Sequence, residues 1–388
     1  MDSTILFNLR KFIAPEIVYG SGAIKLAGRH AKNFGATKVL VVSDPGVQQN
    51  GWTEIVEQSL LEVNIDFCTF TDVTSNPKDH EVVAGAELYR TEACDLIIAV
   101  GGGSPMDCAK GIGILATNGS SIMNFEGIDE VAAPIPPLIF IPTTAGSSAD
   151  VSQFAIITDT IRGVKFAIIS KMVIPDIALI DPQTTVTMPA DLTAATGMDA
   201  LCHSFEAFVS TASSPLTDMA ALSSARLIAN NLLGAHSEPD NIRFRENMMM
   251  ASLMAGLAFS NASLGVVHAM AHSLGGALGL AHGECNAILL EKVTEYNYPA
   301  AAAKYDQLAE AMGQDMAKVV DQERATTVAR CVESLRKQLD ISYRLRDMGV
   351  SLEDLPGLSE FASQDPCMAT NPRETNSQDI EKIYKQIF

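Results

Sequence analysis

From Asn247 to Gly283 the chain carries no Asp, Glu, Lys or Arg, yet three of its seven histidines, His268, His272 and His282, fall inside that run. A stretch so free of charge has two destinations: a membrane, or the interior of a large helical core. Its polar residues decide between them. Asn247, Ser252, Ser260, Asn261, Ser263, Ser273 and the histidines interrupt the apolar residues, and glycines break the run repeatedly. Polar groups at that density are expensive in lipid, so buried helices are expected and no membrane association. Imidazoles inside such a core need partners in turn, because an unpaired buried polar group costs roughly 2–7 kcal/mol. A divalent metal is one such partner.

The first half of the chain follows a different pattern. Apolar runs at Ile17–Tyr19, Lys38–Asp44, Asp66–Phe70, Asp95–Val100 and Leu138–Pro142 alternate with stretches of helical character at Ala23–Phe34, Trp52–Val63, Lys78–Thr91 and Met106–Ala116. Such alternation predicts an α/β domain with a mostly parallel sheet. Phe154–Thr158 and Val164–Ile169 then read as a hairpin turning at Asp159–Gly163. Strands largely stop after Asp181-Pro182, and helices follow to the end. The chain of 388 residues is long enough for two domains. We read an α/β dinucleotide-binding domain, Rossmann-like, over 1–183, and an all-helical domain over 184–388.

Ligands of such sheets bind at the carboxyl ends of the strands. Two features fall there. Gly101-Gly102-Gly103-Ser104-Pro105 lies between a strand and a helix, where glycines admit a pyrophosphate to the backbone and the helix start supplies free N–H groups; the same loop could be a tight turn without a ligand. Asp44 could accept hydrogen bonds from an adenosine ribose, favouring NAD over NADP, or serve as a turn residue before Pro45-Gly46. The acid precedes the glycine loop, so this is not a plain Rossmann fingerprint. Thr143 and Thr144 sit in a hydroxyl-rich loop after the Leu138–Pro142 strand, and Lys165 is the cation of the hairpin, facing phosphate, ribose or solvent.

In the helical half, Asp199 and His203 share one helix face at i,i+4, and His268 and His272 repeat that spacing. Gly275-Gly276 and Gly279 are expected to turn the chain back so that His282 joins them. One carboxylate and up to four imidazoles suit Fe²⁺ or Zn²⁺. A metal beside a dinucleotide implies hydride transfer between alcohol and aldehyde, with the metal as Lewis acid.

The net charge of −19 argues against nucleic acid and anionic membranes as partners. Seven cysteines without a CxxC pair imply reduced thiols and a cytoplasmic protein. Met1–Phe12 has no continuous apolar core of the signal-peptide kind.

Several motifs, in order, resemble the iron-containing (group III) alcohol dehydrogenases. They are Gly101–Lys110, Pro142–Gly146, Thr196–His203, Gly265–Gly275, His282-Gly283 with Asn286-Ala287, and Thr370–Arg373. The resemblance implies the dehydroquinate synthase-like architecture and metal ligation by Asp199, His203, His268 and His282. It moves His272 from ligand to a proton-relaying position beside the nicotinamide. It implies nucleotide contacts from Asp44, Asn76, Gly101, Gly102, Gly103, Ser104, Thr143, Thr144, Ser152, Phe154 and Lys165, and a substrate pocket lined by Phe259 and Cys367. The expected activity is NAD- and Fe²⁺-dependent interconversion of small primary alcohols or diols and aldehydes, by a homodimer or higher homo-oligomer. A zinc-dependent glycerol or polyol dehydrogenase of the same fold is the alternative, and a non-catalytic nucleotide-binding protein is another.

Overall fold

The computed structural model describes residues 10–119 and 121–388. Most of the Met1–Phe12 stretch therefore lies outside the described residues. Six strands, β1 (Glu16–Tyr19), β2 (Lys38–Val42), β3 (Asp66–Phe70), β4 (Leu96–Gly101), β6 (Leu138–Pro142) and β9 (Ile177–Ile180), form a wholly parallel sheet in the order β1-β9-β6-β4-β2-β3. A second, three-stranded sheet holds β5 (Gly127–Ile128), β8 (Val164–Ile169) and β7 (Phe154–Asp159), with β7 and β8 as an antiparallel hairpin.

The central strands are buried on both faces, which is why they read as continuous Val/Ile/Leu runs. Leu40, Val42, Ile97, Ala99, Leu138 and Phe140 point to one side. There they pack on Val82 and Ala86 of α4 (Asp79–Thr91) and on Cys108 and Ile112 of α5 (Gly103–Asn118). Val39, Val41, Leu96, Ile98, Ile139 and Ile141 point to the other. Their partners are Ala27 and Ala31 of α1 (Ala27–Asn33) and Val56 and Leu60 of α3 (Trp52–Glu62). The period-2 alternation of each strand thus feeds two separate cores.

Two short elements escape the sequence pattern. The Asp44-Pro45-Gly46 turn opens a five-residue helix, α2 (Pro45–Gln49), and Asp44 caps it by accepting from Gly46 and Val47 N–H through Oδ1. The apolar tetrad Ile177–Ile180 slots between β1 and β6 as β9.

After Ile180 the ordered elements are α6 (Ala190–Val209), α7 (Pro215–Ser237), α8 (Ile242–Ala262), α9 (Val266–Leu278), α10 (His282–Ala311), α11 (Arg324–Gln338), α12 (Leu355–Ser363) and α13 (Ser377–Gln386), with short 3₁₀ turns between them. The uncharged run spans α8, α9 and the start of α10. Among the described residues no single helix is long and apolar enough to cross a membrane; α8 and α9 together pass on length and composition, but they meet at 100°. Most of α9 is buried in the helical core.

Gly275 and Gly276 do not turn the chain. They lie inside α9, and only Gly279, at φ 69°, ends it. The pair exists for close approach: a Cβ on Gly276 would stand 2.8 Å from the Lys165 backbone nitrogen, and one on Gly275 2.8 Å from Lys165 Nζ. The β7–β8 hairpin is thereby docked onto α9, with its backbone against Gly276 and the Lys165 side chain against Gly275.

Candidate active site

A cavity of about 820 Å³ runs between the carboxyl ends of β2, β4 and β6 and the helices α6, α8, α9 and α10. Most of the residues singled out from sequence line it: Asp44, Asn76, Gly102, Gly103, Ser104, Thr143, Thr144, Ser152, Phe154 and Lys165 at one end and side, Asp199, His203, Phe259, His268, His272 and His282 at the other. Gly101 lies just behind the wall, with φ 156°. Cys367 does not reach it. That residue is 2% exposed, its N–H donates to Asp365 Oδ1, and it packs behind His272. The pocket-lining role expected of Cys367 is corrected accordingly: the 3₁₀ turn Pro366–Thr370 holds it in the second layer.

The nucleotide-type end is built from strand ends and backbone. β4 delivers Gly101, Gly102 is the N-cap, and α5 starts at Gly103, three residues earlier than the apolar pattern suggests. The free N–H groups of a sixteen-residue helix therefore open into the cavity at the glycine loop. Asp44 commits Oδ1 to its cap bonds; a Cβ on Gly101 would lie 3.5 Å from its Oδ2. Lys165 Nζ donates to Asn76 Oδ1 at 2.8 Å, and burial pulls its pKa down to about 8. Ser152 is held from behind by Lys110, whose Nζ donates to Ser152 O at 2.9 Å and to Phe154 O at 2.7 Å.

The other end is built from side chains on separate helices. Asp199 Oδ1 lies 3.9 Å from His203 Nε2, 3.7 Å from His268 Nε2 and 3.7 Å from His282 Nε2. Asp199, His268 and His282 form the tighter group, with ligand-type atoms all within 4.8 Å of one another. His203 stands outside that group, stacked between Phe259 at 4.3 Å and His268 at 4.6 Å. Two rings have their far nitrogen occupied. His203 Nδ1 is 3.2 Å from the Gly146 carbonyl, and His268 Nδ1 is 2.6 Å from Glu206 Oε2. If Nδ1 carries the proton in each, the Nε2 lone pair faces Asp199. Gly146 comes this close only because it lacks a side chain; its Cβ would meet Thr196 O of α6 at 2.4 Å.

The donor set fits a divalent cation. Three ligand-type atoms converge, and the Asn286 amide reaches all of them: its Nδ2 is 2.6 Å from Asp199 Oδ1, 3.2 Å from His268 Nε2 and 3.1 Å from His282 Nε2. The same amide leaves Oδ1 buried and without a partner, as is His282 Nδ1. A cation among these acceptors would free the amide to turn. Burial opposes the charge on Asp199, yet His203, His282 and His268 hold it well below the usual carboxylate range. Burial pulls His203 down to about 4 and His282 well below its ordinary value. It acts the same way on His268, where Asp199 and Glu206 prevail and lift the ring to about 9.

His272 is placed differently. Its Nδ1 pairs with Asp365 Oδ2 at 2.8 Å, and its ring stacks on His282 at 5.3 Å. Glu206, Asn286 and Asp365 were not anticipated as site residues. A signal existed for the first: Asp199, His203 and Glu206 follow one another at helical steps of four and three. Asp365 carried none, being far away in sequence on a loop. Trp52, on α3, also lines the cavity and donates from Nε1 to Thr187 Oγ1 at 2.9 Å, joining the two halves at the wall.

Comparison with known proteins accords with this geometry. Residues 14–182 match the sequence profile described as iron-containing alcohol dehydrogenase, and residues 193–388 that of the Fe-containing alcohol dehydrogenase family, C-terminal. The chain is 40% identical to the 1,3-propanediol dehydrogenase of Citrobacter freundii, covering 98% of this chain and 100% of that one. It is 37% identical to the NAD-dependent methanol dehydrogenase of Bacillus methanolicus, covering 96% and 98%. A crystal structure of 1,3-propanediol oxidoreductase superposes with a TM-score of 0.95 at 40% identity, covering 98% of this chain and 100% of the other. These likenesses do not favour the polyol-dehydrogenase or non-catalytic alternatives. The chain belongs to the iron-containing alcohol dehydrogenase family and is an oxidoreductase acting on alcohols.

Proposed function

We propose that this chain is an NAD-dependent, Fe²⁺-requiring dehydrogenase that interconverts small primary alcohols or diols and the corresponding aldehydes. One observation carries the reading: Asp199, His268 and His282 converge at one end of a cavity whose other end is the glycine loop and Asp44. Asp199, His203, His268 and His282 would hold the metal. When bound, the ion supplies Lewis-acid polarisation of the substrate oxygen, and the nicotinamide accepts or returns the hydride.

The remaining work falls to the chain itself. The α5 N-terminus receives the pyrophosphate, and Asp44 Oδ2 accepts from ribose and repels a 2′-phosphate. Lys165, held by Asn76, steadies the nucleotide from the hairpin. Phe154 and Phe259, with ring centroids 5.7 Å apart, keep the reacting end apolar and dry. His272 has Nδ1 tied to Asp365, so Nε2 is the atom that exchanges a proton with the cavity. The likeness to propanediol and methanol dehydrogenases supports small primary alcohols. The seven cysteines, all free thiols, support a reducing, cytoplasmic setting. We also propose assembly as a homodimer or higher homo-oligomer.

The test is an anaerobic screen of alcohols and aldehydes against NAD(H), with metal content measured on the same sample. Turnover of short primary alcohols by the iron form is expected. Tightly bound zinc with glycerol as the best substrate would overturn the reading.

A further inference from the structure

Glu206 is 4% exposed, on the same face of α6 as Asp199 and His203. Its two oxygens reach across to α9. Oε1 accepts from Val267 N–H at 2.6 Å; Oε2 lies 2.6 Å from His268 Nδ1 and 3.4 Å from His268 N. The N-cap of α9, Gly265, offers no capping side chain of its own. A buried carboxylate from a different helix therefore satisfies the first turn of α9, where partial positive charge favours it. The space is kept for it: a Cβ on Gly265 would stand 2.9 Å from Glu206 Oε1 and 2.8 Å from Asn371 Oδ1.

We infer that Glu206 is a positioning residue for the metal centre. It joins two of the three ligand-bearing helices, α6 and α9, and it fixes the ring of His268 with the proton on Nδ1 and the Nε2 lone pair toward Asp199. This rests on the reading of Asp199 and His268 as metal ligands. The carboxylate is the one side chain of this length that accepts at both ends. An amide in its place keeps one acceptor. If that acceptor stays on Val267 N–H, the NH₂ faces His268 Nδ1, donor against donor. The conflict is relieved only if the ring moves its proton to Nε2, the atom that should ligate.

The experiment compares Co²⁺ affinity, by chelator competition, in metal-free full-length wild type, Glu206→Gln, Glu206→Asp and His268→Ala, together with the thermal midpoint of each metal-free protein. Glu206→Gln should bind Co²⁺ about 10–100-fold more weakly than wild type, with a metal-free midpoint close to wild type and partial recovery in Glu206→Asp. If His268→Ala binds Co²⁺ as wild type does, the metal-centre reading fails and this inference with it. If His268→Ala loses Co²⁺ while Glu206→Gln stays within about threefold of wild type, well short of the expected loss, the metal centre stands and the role of Glu206 is overturned. Should Glu206→Gln not fold, nitrogen-15 histidine spectra of the zinc-loaded wild type decide. A slowly exchanging proton on His268 Nδ1 supports the inference, and an Nδ1 without a proton overturns it.

Discussion

The two ends of the cavity are made by opposite means. At the glycine loop the binding groups are backbone N–H groups at a helix start, placed by a strand that could be many apolar sequences. At the histidine end the binding groups are side chains from α6, α9 and α10, and three of the rings are set by a further partner: Gly146 behind His203, Glu206 behind His268, Asp365 behind His272. The first end is specified by fold, the second by a polar network inside an otherwise apolar core. A backbone site should lose affinity gradually when altered. A network of buried polar groups should fail abruptly, because removing one member strands the next.

Substitutions at the two ends should differ in kind, and the largest effect is expected in the network. His268→Ala should abolish metal binding and turnover together; a variant that kept its full metal content, measured by elemental analysis, would break the contrast. His272→Ala is expected to lower kcat by about 10²–10⁴ while retaining metal, since this ring moves a proton and does not ligate. Loss of metal in that variant would mean the proposed ligand set has been divided wrongly. At the junction of the two ends, Gly276→Ala forces a Cβ to within 2.8 Å of the Lys165 nitrogen. Overpacking of this kind costs about 1–3 kcal/mol, visible as a lowered urea midpoint and a weaker KM for NAD with the metal unaffected. The smallest change is expected at the backbone end. Asp44→Gly should improve NADP relative to NAD by about tenfold, roughly 1.4 kcal/mol. Losing the α2 cap should cost only a few tenths of a kcal/mol with glycine there. An unchanged cofactor ratio would remove Asp44 from the ribose site.

The same contrast explains what could be read from the chain. β2, β4 and β6 were legible because strands buried on both faces must be continuously apolar, and the glycine loop because it follows one of them. Ile177–Ile180 is not legible: four apolar residues ahead of Asp181-Pro182 carry no period, and only pairing with β1 and β6 makes them a strand. Asp44-Pro45-Gly46 reads as a turn, yet a carboxylate that caps and a proline in the first turn also start a helix. Asp199, His203, His268 and His272 were legible from i,i+4 spacing. Their supports were less so, since Asp365 lies 93 residues from His272 and the Gly146 carbonyl carries no side-chain signature at all. Gly275-Gly276 reads as a turn because local sequence does not reveal that a strand will lie against it.

The chain has a single tryptophan, and it stands at the cavity wall with its indole N–H bound across the gap to Thr187. All indole fluorescence of this protein thus originates beside the place where the dinucleotide is proposed to lie. Reduced nicotinamide absorbs where indole emits, so cofactor occupancy can be followed by energy transfer from an unlabelled, unmodified chain. Any parting of the two halves at that point would break the Trp52–Thr187 bond and shift the same signal. The enzyme carries its own optical gauge, and it needs no engineering to be read.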